Sequence, residues 1–155
     1  MNVDLLILGC GYTGRFLARA AMDAGLSVVA TSRQGSVRTT LKLEGIDALD
    51  WSAGEPLPVN ARNIVILFPP RGLDPEAVAQ AIGRHEHLVY CSSTSVYGPQ
   101  GGRWVDSSTP VAPQSPWGIA RVEAENAFLH QGASIVRAAG IYGPGRNILE
   151  RAKAG

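Results

Sequence analysis

A chain of 155 residues is the size of one domain, long enough to bury about 70% of its unfolded surface around a core. Its formal net charge of +1 comes from both signs scattered along the chain, with no basic run and no aromatic–basic interleaving, which argues against nucleic acid or an anionic membrane surface as partner. Hydrophobic residues make up 45%, yet no apolar run nears the ~18 residues of a membrane span, and the first residues, with Asp4 among them, do not have the form of a signal peptide.

The first element is "VDLLIL" (3–8), a near-continuous apolar run that reads as a buried strand. It leads into "GCGYTG", where Gly9, Gly11 and Gly14 have the G-x-G-x-x-G spacing, and a helical pattern follows over 12–24 with Gly25 as its stop. Strand, glycines and helix in that order give the motif a physical meaning. Gly9 permits a tight turn, Gly11 lets the backbone approach a pyrophosphate, and Gly14 lets the helix pack closely on the strand. The helix N-terminus adds N–H groups and the positive end of a dipole. Tyr12 and Thr13 lie inside this candidate cradle; the alternative is a glycine-rich turn that holds no ligand.

The second strand, "SVVAT" (27–31), ends at Ser32 and Arg33. An acidic residue in that place would accept hydrogen bonds from a free ribose 2′-hydroxyl and repel a 2′-phosphate. A hydroxyl and a guanidinium suit the phosphate instead, so NADP is favoured over NAD, the alternative being a solvent-facing arginine at a strand end.

A helix over 36–44 and a strand "GIDAL" (45–49) come next, followed by Asp50 and Trp51. That pair either borders an adenine, the carboxylate taking its amine and the indole covering its ring, or serves as a turn residue and a packing aromatic. The stretch "DWSAGEPLPVNAR" has no helical period and predicts an irregular crossover to the fourth strand, "NIVILF" (63–68). Asp74 and Pro75 open a helix over 74–84 as N-cap and first helical residue. A fifth strand "HLVYC" (87–91), a helix over 115–131 and a sixth strand "ASIVRA" (133–138) complete the series. The final "ILERAKAG" reads as a helix that has just begun behind Asn147, either an incomplete architecture or a frayed end. His85, His87 and His130 read as exposed solubilising residues. Cys10 and Cys91 stand without a Cys-x-x-Cys or a His cluster, so neither a metal site nor a disulfide is expected, and a reducing cytoplasm fits best.

Apolar strands alternating with helices give an α/β fold: a Rossmann-like doubly wound parallel sheet with helices on both faces and strand order 3-2-1-4-5-6. Three further segments, "LVYCSSTSVYG" (88–98), "PQSPWGIARVEAE" (113–125) and "IVRAAGIYGPGR" (135–146), make the chain resemble the extended short-chain dehydrogenase/reductases, the sugar-nucleotide epimerase and dehydratase family. The resemblance implies that Ser93 is the hydroxyl that hydrogen-bonds the reacting oxygen. It also implies that the loop Tyr142 to Gly145 lies near nicotinamide and substrate. The family's Tyr-x-x-x-Lys pair falls on Trp117 and Arg121. An indole N–H donates but does not titrate usefully, so Trp117 cannot take the tyrosine's part, whereas Arg121 can still donate to ribose hydroxyls as the lysine does.

Tyr97 and Tyr142 are alternative phenols at the carboxyl edge of the sheet, with packing the more natural role for Tyr97. The chain is similar to a group of atypical members that keep the glycine motif and "SSTSVYG" but lack the Tyr/Lys pair. "FPPR" (68–71) replaces the small-residue run of typical members, and its two prolines stiffen that loop and remove two backbone donors.

The resemblance thus implies one NAD(P)-binding domain over 1–155 without the C-terminal substrate lobe. Its sixth strand is then left open to self-association as a homo-oligomer. Three functions are compatible with this reading: an atypical NADP-dependent oxidoreductase or epimerase/dehydratase, with dinucleotide and an unidentified small-molecule substrate as ligands; a non-catalytic NADP-sensing or scaffold module; or an inactive truncated domain.

Overall fold

The first strand shows how the sequence builds the two faces of the molecule. In the computed structural model, which describes residues 2–147 and Ala152, β1 (Asn2–Leu8) is the central strand. Its alternating side chains go to opposite faces. Leu6 and Leu8 join a core with Ile64, Ile66, Leu88, Tyr90 and Phe128, whereas Leu5 and Ile7 join another with Ala18, Ala21, Leu41 and Ile46. Being covered on both sides is why Leu5 to Leu8 are apolar without interruption. A fully buried side chain such as Leu6 or Ile7 contributes about 1.5–3 kcal/mol relative to exposure.

The remaining elements follow in chain order: α1 (Tyr12–Asp23), β2 (Val28–Thr31), α2 (Gly35–Leu43), β3 (Asp47–Leu49), β4 (Asn60–Ile66), α3 (Pro75–Ala81), β5 (His87–Ser93), a 3-10 turn (Thr94–Tyr97), α4 (Pro116–Leu129) and β6 (Ser134–Ala138). The sheet order is β3-β2-β1-β4-β5-β6 with every pairing parallel, as the alternation of strands and helices requires. Ala18 and Ala21 of α1 and Leu41 of α2 join the Leu5 core, and Val78 and Ala79 of α3 with Ala124, Ala127 and Phe128 of α4 join the Leu6 core.

Local chemistry sets the helix starts. Asp74 accepts from the Glu76 N–H at 3.0 Å with Pro75 at the first helical position, and Ser115 accepts from the Gly118 N–H at 3.1 Å with Pro116 in the same role. Gly118 is pressed so closely on the turn after β5 that an added Cβ would lie 2.7 Å from the Ser95 carbonyl oxygen. This contact sets the first turn of α4, and with it Trp117, beside the end of β5.

Several boundaries differ from the sequence expectation. β4 begins at Asn60 rather than 63, because Asn60 and Ala61 pair with Asn2 and Val3 of β1 although their side chains have no strand-like pattern. α3 ends at Ala81 rather than 84, since Ile82 is already extended. β5 runs on through Ser93, paired to Ala138. The crossover before β4 is irregular, as expected; the buried Trp51 holds it by donating its indole N–H to the carbonyls of Glu55 and Pro56 at 3.1 and 3.2 Å. His85 corrects another expectation: it is half-buried, its ring nitrogens 2.8 Å from the Gly83 oxygen and 3.2 Å from the Gln131 oxygen.

Among the described residues β6 forms one sheet edge, with Val136 half exposed, and no helix is long and apolar enough to cross a membrane. Apart from Ala152, the helix expected from Ile148 onward lies outside the described residues.

Candidate functional site

Where β1, β2 and β4 end, the sheet opens into a groove of about 290 Å³ that includes Gly9, Gly11, Ser32, Arg33, Trp51 and Arg71 in its lining. Strand order reverses at β1, so the two crossovers leave in opposite directions and a crevice is left between them.

The three glycines have distinct steric reasons. Gly9 has φ +83°, and an added Cβ would sit 2.8 Å from the Phe68 Cβ. A Cβ on Gly14 would lie 2.9 Å from Cys10 Sγ and 3.3 Å from Leu67 Cδ1, so Gly14 serves the close packing of α1 on the sheet. Gly11 differs: an added Cβ would meet nothing within 4 Å. No protein contact demands a glycine there, and Gly11 lines the groove. Gly11 is the N-cap of that helix, with no side chain capping it and no acidic residue in the first turn. Such an end leaves N–H groups and a positive dipole end for an anion.

The loop is pinned to β2, for the Gly9 N–H donates to Thr31 Oγ1 at 3.1 Å and the Cys10 N–H to the Thr31 carbonyl at 2.8 Å. Burial pushes the Cys10 thiol up to about 11, which keeps it a protonated packing group. Tyr12 donates its hydroxyl to the Pro144 carbonyl at 3.0 Å, and the Arg146 guanidinium stands 5.2 Å from its ring centroid. These contacts lay the 142–146 loop against the start of α1. Thr13 is half-buried in the first turn of that helix.

At the end of β2, Ser32 and Arg33 stand together on the groove. Arg38, which the sequence reading did not single out, donates to the Ser32 carbonyl at 2.7 Å and pairs with Asp50 at 3.3 Å. Asp50 is therefore turned to Arg38 and does not line the groove, while Trp51 both packs in the core and forms part of the groove wall, its ring 6.3 Å from that of Phe68. Arg33 forms no ion pair among the described residues.

At the other end of the crevice, the Ser93 hydroxyl accepts from the Ser95 N–H at 3.2 Å and caps the 3-10 turn, which leaves its proton available to donate. Arg121 reaches in from α4 and donates through Nη1 to the Tyr90 hydroxyl at 3.1 Å and to the Cys91 carbonyl at 2.9 Å. Burial raises the Tyr90 phenol above its ordinary value despite this cation. Trp117 is half exposed, and the Arg71 guanidinium stacks 4.1 Å from its ring centroid.

Of the two candidate phenols, Tyr97 is buried, donates to the Asp106 carbonyl at 2.7 Å and accepts from Arg137 Nη1 at 3.1 Å, so it packs. Tyr142 is exposed. The structure also shows a pair that no sequence spacing announced: the buried Glu125 of α4 and the partly exposed Arg137 of β6, joined by three hydrogen bonds of 2.8–3.2 Å.

Residues 73–153 match the NAD dependent epimerase/dehydratase family. A functionally unknown conserved protein from Silicibacter pomeroyi is 34% identical over 94% of this chain, with a TM-score of 0.82. A provisionally assigned NAD-dependent epimerase/dehydratase from Methylobacillus flagellatus is 26% identical over 97% of this chain, with a TM-score of 0.79. UDP-glucuronic acid 4-epimerase from Bacillus cereus, solved with NAD, shares the fold at 16% identity over 92% of this chain, with a TM-score of 0.73. The chain spans 56%, 59% and 58% of the length of these three proteins, respectively. No curated protein matches it.

Proposed function

This chain belongs to the NAD dependent epimerase/dehydratase family, and from that membership we propose that it binds a nicotinamide dinucleotide across the carboxyl edge of its sheet, with NADP preferred over NAD. The observation that carries the reading is Gly11, a glycine with open space around it at an uncapped helix start, between Gly9 and Gly14, which backbone conformation and packing require. Gly9, Gly11 and Gly14, with Tyr12 and Thr13, hold the diphosphate. Ser32 and Arg33 take the 2′-phosphate, supported by the lack of any acidic side chain at the end of β2 and by the Arg38–Asp50 pair, which turns the nearby carboxylate aside. NAD in the Bacillus cereus relative supports a dinucleotide in this place.

When bound, the nicotinamide supplies hydride exchange with a substrate carbon. The chain's own groups then have limited roles. Ser93 donates a hydrogen bond to the reacting oxygen and keeps its proton. Arg121, held by Tyr90 and Cys91 through Nη1, keeps other N–H groups of its fork for ribose hydroxyls. Trp117 shapes the site but moves no proton, because an indole N–H has no usable acid–base equilibrium near neutrality. That observation favours a second reading, a non-catalytic module that binds NADP for sensing or scaffolding.

The test of cofactor binding is a titration of the chain with NADPH and NADH by nicotinamide fluorescence. NADPH binds more tightly, and Arg33→Ala weakens NADPH about tenfold with NADH within about twofold. An equal loss for both overturns the 2′-phosphate assignment; no binding of either by the unsubstituted chain overturns the dinucleotide reading.

A further inference from the structure

Arg71 is a charge that neither the glycine motif nor the cofactor preference accounts for. It lines the same groove as Gly9, Gly11 and Arg33, yet its guanidinium rests 4.1 Å from the Trp117 ring, on the far element α4. Its root is held, because Pro69 and Pro70 restrict the loop after β4 and the Arg71 N–H donates to the Pro69 carbonyl at 2.8 Å. The side chain beyond that root is exposed and forms no ion pair among the described residues. A guanidinium parked on a half-exposed indole is in one of its weaker partnerships, whereas two parallel N–H donors on a phosphate are among its strongest. Arg71 is thus poised to exchange one for the other.

We infer that Arg71 is a binding residue for the bridging diphosphate of the dinucleotide, held in reserve on Trp117 and transferred from the indole face to the phosphates when the ligand enters. The inference rests on the dinucleotide reading above and adds to it a residue and a movement. Trp117 gains a role in this way that needs no proton transfer: it competes with the ligand for the guanidinium and reports its departure. Arg71 and Arg33 also divide the work. Arg33 meets the 2′-phosphate, which NADP and 2′-AMP carry; Arg71 meets the diphosphate, which NADP, NAD and ADP-ribose share and 2′-AMP lacks.

The experiment compares the unsubstituted chain with Arg71→Ala, Arg71→Lys and Trp117→Ala, titrated with NADPH, NADH, ADP-ribose and 2′-AMP. Arg71→Ala weakens NADPH, NADH and ADP-ribose by a common factor of about ten and leaves 2′-AMP unchanged. Arg71→Lys, which keeps the charge without the fork, falls between. Trp117→Ala frees the guanidinium and tightens ADP-ribose by about two- to fivefold. Fluorine resonances of 5-fluorotryptophan provide a readout that a merely structural role would not move. The Trp117 signal, assigned by its loss in Trp117→Ala, shifts with ADP-ribose in the unsubstituted chain and stays still in Arg71→Ala.

Unchanged affinities in Arg71→Ala, in a chain that binds NADPH, overturn this inference and leave the dinucleotide reading standing. Failure of the unsubstituted chain to bind any of the three diphosphates overturns both.

Discussion

Replacing Gly11 by alanine separates ligand binding from folding, and Gly9 supplies the contrast. At Gly11 the backbone φ of −98° is open to an L residue, and the new methyl meets nothing within 4 Å. The loss of a tolerable N-cap and the reduced freedom of the unfolded chain oppose each other, so stability changes by less than about 1 kcal/mol. At Gly9 the left-handed φ of +83° costs about 1–2 kcal/mol in any other residue. The Cβ, 2.8 Å from that of Phe68, adds overpacking of about 1–3 kcal/mol. A total near 3 kcal/mol lowers Tm by about 6–12 °C in a domain of this size.

Binding responds in the opposite order of information. In Gly11→Ala the methyl occupies the space through which a phosphate would approach the backbone, a clash of about 1–3 kcal/mol, or about 5- to 150-fold in NADPH affinity. Thermal unfolding of both variants, with NADPH titration of Gly11→Ala, provides the assay. A Gly11→Ala chain that binds NADPH as tightly as the unsubstituted one refutes the cradle, and one as unstable as Gly9→Ala refutes the open space.

Three further outcomes are expected. Glu125→Ala leaves the Arg137 guanidinium facing α4 without its carboxylate and lowers the urea-unfolding free energy by about 3 kcal/mol, the low end for a buried pair because Arg137 is partly exposed; Glu125→Leu with Arg137→Met recovers most of it, and a single variant as stable as the parent refutes the coupling. Stability falls as pH rises from about 9 to about 11, because the unfolded Cys10 thiol ionises from 9.0 while burial keeps the folded thiol protonated to about 11; the contribution is fully present below 9.0, and Cys10→Ala removes this part of the profile, an identical profile being the contrary result. Trp117→Tyr combined with Arg121→Lys restores an ionisable phenol beside an ammonium, so NADPH-dependent reduction of a simple carbonyl compound rises above that of the parent chain; no rise means that more than these two groups stands between the site and the reaction.

The sequence alone determined what is local. Apolar runs of strand length between helical patterns specified a parallel sheet, because strands buried on both faces cannot carry polar alternation, and the glycine motif after the first strand pointed to the order 3-2-1-4-5-6. The cap at Asp74 and the turn at Gly9 were legible for the same reason, as each depends on φ, ψ and hydrogen bonds within a few residues.

What the tertiary structure decided are contacts between residues far apart in the chain. Asn60 and Ala61 became strand because β1 offered them partners, not because of their own side chains. Asp50 was open to two readings until α2 brought Arg38 to it. Tyr97 became a packing residue once β6 placed Arg137 beside it. Arg71 looked like the end of a stiff loop until α4 set Trp117 under its guanidinium. None of these pairs has a sequence period to announce it, since their meeting depends on how several crossovers and strand registers add up, and a side chain's partner is chosen only after the backbone has settled that sum.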